Sequence, residues 1–294
     1  MTIVINTPNG HIGRRTAERL LDSGIAVRII SRNPDKVTDL TSRGASLVIG
    51  STDDAAVLAK AFDGAETVFW LTPPAYRPDY AAWVRATAQK AAGAMASAKV
   101  ARVVNLSSIG AHAGAGTGPI ASLGEVESIL SEALPNVVHL RPGSFMENYL
   151  ADVASIASEG SMYSPLPKNA PMATIATRDI GDVAATYLLG AEWSGQKVHE
   201  LHGPRDLTPR DAAELIGEGI DKPVSLVEVT IDQAREGMLA AGLPDFVVAM
   251  YAEMFTAMRE GRIVSEQPRT PATTTPTGLR RFATEVLKPA VDAV

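Results

Sequence analysis

The residues Thr7-Pro8-Asn9-Gly10-His11-Ile12-Gly13 give the strongest indication of the fold of this chain. It follows the β-branched run Thr2–Asn6 and opens a segment with apolar residues at helical spacing. It is a G-x-x-G-x-x-G loop in which Thr7 replaces the first glycine. Gly10 would let backbone N–H groups approach a pyrophosphate, and Gly13 would let the helix lie close to the strand. A turn of this kind can also serve packing alone, which is the alternative interpretation.

Short β-branched runs alternate with amphipathic segments through the first half of the chain. The predicted strands are Thr2–Asn6, Ala26–Ser31, Ala45–Ile49, Thr67–Leu71, Arg102–Leu106 and Val137–Leu140. Helical patterns between them predict crossover connections, and right-handed crossovers favour an open parallel sheet. The sequence therefore predicts an α/β chain with a doubly wound parallel-sheet Rossmann fold and a smaller, mostly helical C-terminal lobe.

The predicted domain boundaries follow this change of pattern. Residues 1–150, with 173–205 returning to them, form the predicted cofactor-binding domain, and residues 151–172 and 206–294 form the substrate lobe. Phe145–Glu159 has a helical pattern, and Ser161–Met172 is predicted as a loop with three prolines. Pro268–Pro276 is predicted as a linker or surface loop that need not pack, before a last helix at Thr277–Lys288.

Composition excludes several classes of function. The 294 residues carry a net charge of −6 without dense Lys and Arg clusters, so nucleic acid is not an expected partner. There is no cysteine, which excludes disulfides and thiolate metal sites and suits a cytoplasmic protein. Apolar runs stop before about 18 residues, and the N-terminus has the pattern of a strand, so we expect no membrane span and no signal peptide.

The histidines do not indicate a metal site. His139, His199 and His202 lack metal-ligand spacing with carboxylates, so we expect no metal. We expect a small-molecule substrate and either a monomer or a homodimer.

Arg32 is the second feature that bears on a cofactor. It ends the second predicted strand about 20 residues past the loop, where NAD-binding proteins usually present an acid to the ribose. A guanidinium suits a bidentate phosphate contact, so the pattern favours NADP(H) over NAD(H). The alternative is a solvated surface arginine.

Six segments together resemble the NmrA-like family of atypical short-chain dehydrogenases, which includes NADPH-dependent quinone and azo reductases and also redox-sensing members. They cover roughly residues 1–205 in order. The segments are Asn9–Gly13, Ser31–Pro34, Val68–Pro73, Val103–Ser108, Leu140–Asn148 and Arg178–Ala184.

The resemblance implies roles for further residues. Thr72 and Pro73 should border the adenosine half of the cofactor, and Ser107, the candidate catalytic residue, should lie beside the nicotinamide. Pro142 and Phe145 should close over the nicotinamide. The candidates for the walls of a substrate pocket are Tyr76, Phe145, Asn148 and Tyr149. Phe145 and Tyr149 could equally be core residues at helical spacing.

The chain departs from ordinary short-chain dehydrogenases in the helix after the fifth strand. Pro119–Ala133 contains no Tyr-x-x-x-Lys pair, and Leu123 stands where related reductases often keep a lysine or histidine. Glu125 and Glu127 are expected on a solvated helix face, and His112 is expected as a mobile surface residue near the pocket.

Hydride transfer from NADPH can proceed without a protein acid when the reduced acceptor takes its proton from water. The sequence thus predicts an NADPH-dependent oxidoreductase acting on a small, quinone-like acceptor. The alternatives are a non-catalytic NADP(H) redox sensor and a cofactor-binding fold recruited as a biosynthetic isomerase or cyclase.

Overall fold

The structure is a computed structural model that describes residues 1–190 and 193–294. Up to residue 142 its strands and helices alternate strictly. They are β1 Thr2–Ile5, α1 His11–Asp22, β2 Ala26–Ser31, α2 Thr38–Ser42, β3 Ser46–Ile49, α3 Ala55–Phe62, β4 Thr67–Leu71, α4 Tyr80–Ser97, β5 Arg102–Leu106, α5 Pro119–Ala133 and β6 Val137–Pro142. Short 3₁₀ turns at Pro34–Val37 and Ala111–Ala113 interrupt the connections.

The second half uses shorter strands. Its elements are β7 Ser144–Phe145, a 3₁₀ helix at Met146–Asp152, α6 Val153–Glu159, β8 Ser161–Ser164, β9 Met172–Ile175, α7 Thr177–Leu189, β10 Gln196–Leu201, β11 Asp206–Leu207, α8 Pro209–Ile220, β12 Ser225–Glu228, α9 Ile231–Ala240, α10 Asp245–Arg259, α11 Leu279–Phe282, a π-helical turn at Ala283–Leu287 and α12 Lys288–Asp292.

Seven strands form the main sheet in the order β10-β6-β5-β4-β1-β2-β3. The pairs among β1 to β6 are parallel, with Ile3 of β1 opposite Val27 of β2 and opposite Thr67 of β4. This is the 3-2-1-4-5-6 strand order of a doubly wound Rossmann sheet with one strand added beside β6. The predicted fold class is therefore confirmed.

The chain divides into two compact units. The first comprises residues 1–108, 122–141 and 180–199, and the second comprises residues 109–121, 142–179 and 200–294. The functional division predicted from the sequence, with the cofactor on one domain and the substrate on the other, stays a prediction.

The first unit has a continuous apolar core between its strands and helices. The largest side chains in it, Phe62, Trp70 and Met95, are almost completely buried. Strand β4 is buried at four of its five positions, as expected for a parallel strand covered on both sides. Asp54 accepts hydrogen bonds from Ala56 N and Val57 N and so caps the N-terminus of α3.

The second unit contains two small sheets and its own core. The sheets are β11-β9-β7 and the parallel pair β12-β8. Ile216 of α8 and Phe282 of α11 lie at the centre of the apolar cluster. At the start of α8, Thr208 and Asp211 exchange hydrogen bonds in a capping box.

Two predicted segments of this unit differ from the structure. Phe145–Glu159 is not one helix, because Phe145 pairs with Ile175 in a short strand and a 3₁₀ helix follows. The predicted loop Ser161–Met172 begins with β8, whose residues pair with β12, and ends on the first residue of β9. Both differences arise from pairing between distant segments, which local pattern does not encode.

The C-terminal segment also differs from the prediction. The single helix expected at Thr277–Lys288 is a short α-helix, a π-helical turn and α12, which has Pro289 in its first turn. A proline there removes one backbone donor, so the helical hydrogen-bond pattern has to change just before it. The preceding loop packs after all, because Thr273 and Thr275 are buried and bond to the backbone of His202.

Candidate functional site

In the turn between β1 and α1, the backbone of Thr7 comes very close to the first turn of α1. A Cβ built on Gly13 would lie 2.1 Å from the carbonyl oxygen of Thr7, so only glycine allows α1 to begin this close to the turn. A Cβ on Gly10 would meet no protein atom nearer than 3.8 Å, and Gly10 faces solvent. Space for a ligand therefore lies on the Gly10 side.

The N-terminus of α1 is equipped for an anion. Gly10 is the N-cap, no side chain of the described residues caps the helix, and its first turn contains no acid. The N–H groups of this turn point outward with the positive end of the helix dipole. A pyrophosphate would supply the acceptors that the chain itself does not provide.

Two asparagines hold the turn against neighbouring strands. Asn6 is buried at the end of β1, and its side chain bonds to both N (2.9 Å) and O (2.8 Å) of Leu71 at the end of β4. Asn9 donates to Ser31 Oγ (3.3 Å), whose hydroxyl also contacts the backbone of Asn33. The phosphate turn and the end of β2 are thus one connected surface.

Arg32 follows β2 on this surface and is exposed. Its guanidinium forms neither a hydrogen bond nor an ion pair with any residue that the structure describes. By contrast, Arg14 pairs with Asp39 and donates to Lys36 O (2.7 Å). Arg32 is therefore a cation left available beside the phosphate turn.

Three hydroxyls at the carboxyl edge of the main sheet are buried without a hydrogen bond of regular geometry in the described chain. They are Thr7 Oγ1 after β1, Thr72 Oγ1 after β4 and Ser107 Oγ after β5. These strands are adjacent in the sheet order β1-β4-β5, and doubly wound folds bind ligands outside this edge. Buried polar atoms normally have partners, so the residues present fit a bound dinucleotide that would supply them.

Glu127 overturns one expectation from the sequence. It does not lie on a solvated face: the residue is 8% exposed and accepts two hydrogen bonds from Arg141, at 2.9 Å from Nε and 2.7 Å from Nη2. Burial by itself would raise the pKa of Glu127, but the hydrogen bonds from Arg141 and a polar contact with Ser107 outweigh it and lower the pKa. Glu125, by contrast, is paired with Arg85 at the surface.

His139 is buried near the Glu127–Arg141 pair and has two polar contacts of its own. Asn105 Nδ2 lies 3.0 Å from His139 Nδ1, and Ser131 Oγ lies 2.9 Å from His139 Nε2. An amide that donates to Nδ1 leaves Nε2 as the protonated nitrogen of a neutral ring. Burial lowers the pKa of His139, which favours the same neutral form.

In the second unit, the predicted nicotinamide-facing segment is held by backbone contacts. Gly143 N donates to Leu201 O (3.0 Å), and a Cβ on Gly143 would lie 2.5 Å from Ala173 O. Glu147 accepts from Thr177 N (3.0 Å) and from the Thr177 hydroxyl, which fixes the segment to the start of α7.

The candidate substrate residues lie in different surroundings. Phe145 is half-buried, Asn148 is exposed and lies 3.4 Å from Ser144 Oγ, and Tyr149 belongs to the apolar core, where burial raises its pKa. Pro142 is buried at the end of β6. Tyr76, in the first unit, is 64% exposed between β4 and α4.

The loop with His112 is anchored rather than loose. His112 Nδ1 lies 3.1 Å from Glu266 Oε2, and Arg262 donates to Gly116 O (2.8 Å). A Cβ on Gly118 would lie 2.3 Å from Met250 O, so α10 packs directly on this loop. These contacts correct the expectation of a mobile surface residue.

Two further properties concern ligands and membranes. Within residues 1–190 and 193–294, no three His, Asp or Glu side chains come together in a way that could hold a metal ion. None of the described helices has the length and apolar character needed to cross a membrane.

Residues 8–188 match the NAD(P)H-binding family. The chain belongs to this family. The family match confirms the predicted class of cofactor, a nicotinamide dinucleotide.

Characterised relatives of this NAD(P)H-binding chain are reductases. It is 28% identical over 267 residues to (4-alkanoyl-5-oxo-2,5-dihydrofuran-3-yl)methyl phosphate reductase of Streptomyces griseus, covering 90% of each chain. It is 27% identical over 255 residues to NAD(P)H azoreductase of Xenophilus azovorans, covering 86% of each. The protein is accordingly an NAD(P)H-dependent oxidoreductase.

A solved structure shows the same fold over nearly the whole chain. The NADPH-dependent quinone oxidoreductase of Escherichia coli, solved with NADPH, superimposes with a TM-score of 0.82 at 21% identity, covering 97% of this chain and 99% of that one. The fold predicted from the NmrA-like resemblance is confirmed.

Sequence reasoning missed Asn6 and the Glu127–Arg141 pair. The signal for Asn6 was an amide directly after the apolar strand residues Ile3, Val4 and Ile5. The signal for the pair was Arg141 at the end of an apolar strand, which needs a buried acid as partner.

Proposed function

We propose that this protein transfers hydride from NADPH, in preference to NADH, to a flat, quinone-like acceptor. The observation that carries the cofactor preference is the exposed Arg32 beside the turn at residues 7–13, which has no hydrogen bond or ion pair with the residues that the structure describes. An exposed guanidinium without an acid next to it is free to form a bidentate contact with a 2′-phosphate.

Residues that follow β1, β4 and β5 of the first unit would contact different parts of the cofactor. The N–H groups at Gly10 and the start of α1 would hold the pyrophosphate. Thr72 and Pro73 would border the adenosine, and Ser107 would lie beside the nicotinamide. The orphaned hydroxyls of Thr7, Thr72 and Ser107 support this placement.

The proposed acceptor class is based on three described residues at which a proton donor would be expected. A bound NADPH supplies the hydride, whereas the protein orients the reactants and excludes water. Leu123 of α5 cannot move a proton, Glu127 is held ionised by Arg141, and His139 is held neutral by burial. Such a site suits an acceptor whose reduced form takes its proton from water, as a quinone does.

Residues of the second unit are proposed to contact the acceptor. Pro142 and the half-buried ring of Phe145 would provide an apolar surface, and the exposed amide of Asn148 could donate to a carbonyl oxygen. Tyr149 would support this surface from within the core. Tyr76 remains a candidate for contact with the substrate.

The cofactor preference is tested with Arg32→Glu. Repulsion between a carboxylate and the 2′-phosphate should weaken NADPH binding by about 10- to 100-fold, whereas NADH binding should change by less than about twofold. Arg235→Glu, on the exposed face of α9, makes the same change in net charge and should alter neither affinity. Calorimetry with each dinucleotide provides the measurement, and equal losses for both would show that Arg32 does not bind the phosphate.

The reaction is tested by following nicotinamide absorbance while NADPH is mixed with a panel of substituted quinones. Turnover that rises with the reduction potential of the quinone supports hydride transfer without a protein acid. Tight NADPH binding without turnover for any quinone would overturn the proposed acceptor class and favour a redox sensor.

A further inference from the structure

Two rows of polar side chains run inside the first unit from α5 through β6 to β5. Each row takes one residue from each element. The first row is Ser131, His139 and Asn105, and the second is Glu127, Arg141 and Ser107. Residues four apart on a helix share a face, as do residues two apart on a strand, so the rows repeat at matching spacing.

The first row is closed by hydrogen bonds. His139 contacts Asn105 at 3.0 Å and Ser131 at 2.9 Å, and Asn105 lies opposite His139 in the register of β5 and β6. This row lies in the middle of the strands. It fixes α5 to the two strands, which is a structural role.

The second row lies nearer the carboxyl edge of the sheet than the first, and the Ser107 end of this row is not closed by a hydrogen bond from the part of the chain that the structure describes. Arg141 binds Glu127 through two hydrogen bonds, while Ser107 Oγ is buried without a hydrogen bond of regular geometry in the described residues. Ser107 N donates to Leu140 O (2.7 Å), which fixes the backbone of Ser107 next to Arg141. The backbone of Ser107 is therefore fixed, whereas the direction of its hydroxyl is not set by these hydrogen bonds.

We propose that Glu127 is a positioning residue: held by Arg141, its carboxylate orients the Ser107 hydroxyl at the end of β5 where the nicotinamide would lie. The inference rests on the proposed function, because the direction of this hydroxyl matters only beside a bound cofactor. The carboxylate would accept a hydrogen bond from the Ser107 hydroxyl. The lone pairs of Ser107 Oγ would then be turned toward the ligand. Ser107 would then accept a hydrogen bond from the cofactor rather than donate one.

A purely structural role explains the pair less well. A buried ion pair adds little net stability compared with apolar side chains of similar size, because both charges lose their hydration. The first row already anchors α5 to the strands. The Ser107 hydroxyl is buried without a hydrogen bond of regular geometry among the described residues, and the bond from Ser107 N to Leu140 O holds it next to Arg141, which points to a role at the carboxyl edge of the sheet.

The test is a double-mutant cycle of Glu127→Gln and Ser107→Ala, with Glu125→Gln as the matched surface control. The readouts are the Kd of NADPH, the emission spectrum of bound NADPH and the melting temperature. Glu127→Gln should weaken NADPH binding by about tenfold in the wild-type background and shift the emission of the bound nicotinamide. In the Ser107→Ala background the same substitution should change the Kd by no more than about twofold.

The melting temperature separates positioning from folding. Glu127→Gln should lower it equally in both backgrounds, because the loss of charge opposite Arg141 does not depend on Ser107. An equal loss of NADPH affinity in both backgrounds would overturn the inference and leave the proposed function intact. A wild-type protein that binds neither NADPH nor NADH would overturn the proposed function itself.

A second variant covers the case in which Glu127→Gln does not fold. Glu127→Leu combined with Arg141→Met removes both charges and should retain a melting temperature close to that of the wild type. It should show the same loss of NADPH affinity of about tenfold. Full affinity in this variant would contradict the inference.

Discussion

The carbonyl oxygen of Thr7 lies 2.1 Å from the position that a Cβ on Gly13 would occupy. Gly13→Ala must therefore move α1 away from the turn, which should lower the free energy of unfolding by about 1–3 kcal/mol. NADPH affinity should fall as well, because the N–H groups of the turn move with the helix. Urea denaturation and calorimetry with NADPH measure the two effects.

A glycine on α4 provides the control for Gly13→Ala. Gly93 lies inside that helix, and a Cβ built on it meets no atom within 4 Å. Gly93→Ala should raise the free energy of unfolding by about 0.5–1 kcal/mol through helix propensity and leave NADPH binding unchanged. Tolerance of alanine at both positions would contradict the close approach at Thr7.

The main sheet could be predicted from sequence because its information is local. Each of β1 to β6 is a short β-branched run followed by a turn, and one such run after another specifies parallel crossovers. The short strands β7 and β9 were not predicted. Strand β7 exists because Ser144 and Phe145 pair with Thr174 and Ile175, thirty residues further along the chain, and β9 also pairs with β11.

The candidate site shows the same division. The turn at residues 7–13 and Arg32 could be proposed as binding residues because their positions relative to the first two strands are local features of the sequence, and their role stays a prediction. The burial of Glu127 could not, since it depends on Arg141, which reaches it from another element. From the helical pattern alone, an acidic residue is predicted to lie on the solvent-exposed face.

The Glu127–Arg141 pair should make stability depend on pH in acid. The pKa of Glu127 is lowered in the folded protein, so its contribution is present above its ordinary pKa and is lost as pH falls through the lowered value. The variant with Glu127→Leu and Arg141→Met lacks this contribution. Wild type should therefore lose more stability than the variant as pH falls below about 4.3, the ordinary pKa of glutamate.

Urea denaturation across this pH range measures the difference, and an exposed pair provides the control. Replacing Glu125 and Arg85 by glutamine should leave stability nearly unchanged across this range, because solvent screens that pair. Parallel pH curves for wild type and the apolar variant would contradict the lowered pKa of Glu127.

Asp152 of the second unit should have the opposite dependence. Burial raises its pKa to about 6, although a hydrogen bond from the Tyr163 backbone opposes the shift. Because the folded pKa lies above the unfolded one, stability falls as pH rises and the buried carboxyl ionises. Asp152→Asn should raise the free energy of unfolding by ~2 kcal/mol near pH 8 and have little effect below about pH 4.

The control is Glu236→Gln on α9. It also removes one negative charge, but the side chain of Glu236 is exposed. It should have no effect of this size at either pH. A stabilisation by Asp152→Asn that is the same at both pH values would show that the carboxyl of Asp152 is not the group that titrates.

Two helices of the second unit begin with the same capping box but should respond differently when it is removed. Thr208 caps α8, whose residues Ala212 and Ile216 are buried in the core, whereas Thr230 caps α9, which buries none of its residues. Thr208→Ala should lower the global free energy of unfolding by about 1 kcal/mol, because α8 cannot fray without exposing the core. Thr230→Ala should leave global stability unchanged and raise amide hydrogen exchange within Ile231–Ala240, because a helix without buried contacts opens locally. Urea denaturation and hydrogen exchange distinguish the two outcomes, and an equal global loss for both variants would show that α9 unfolds together with the core.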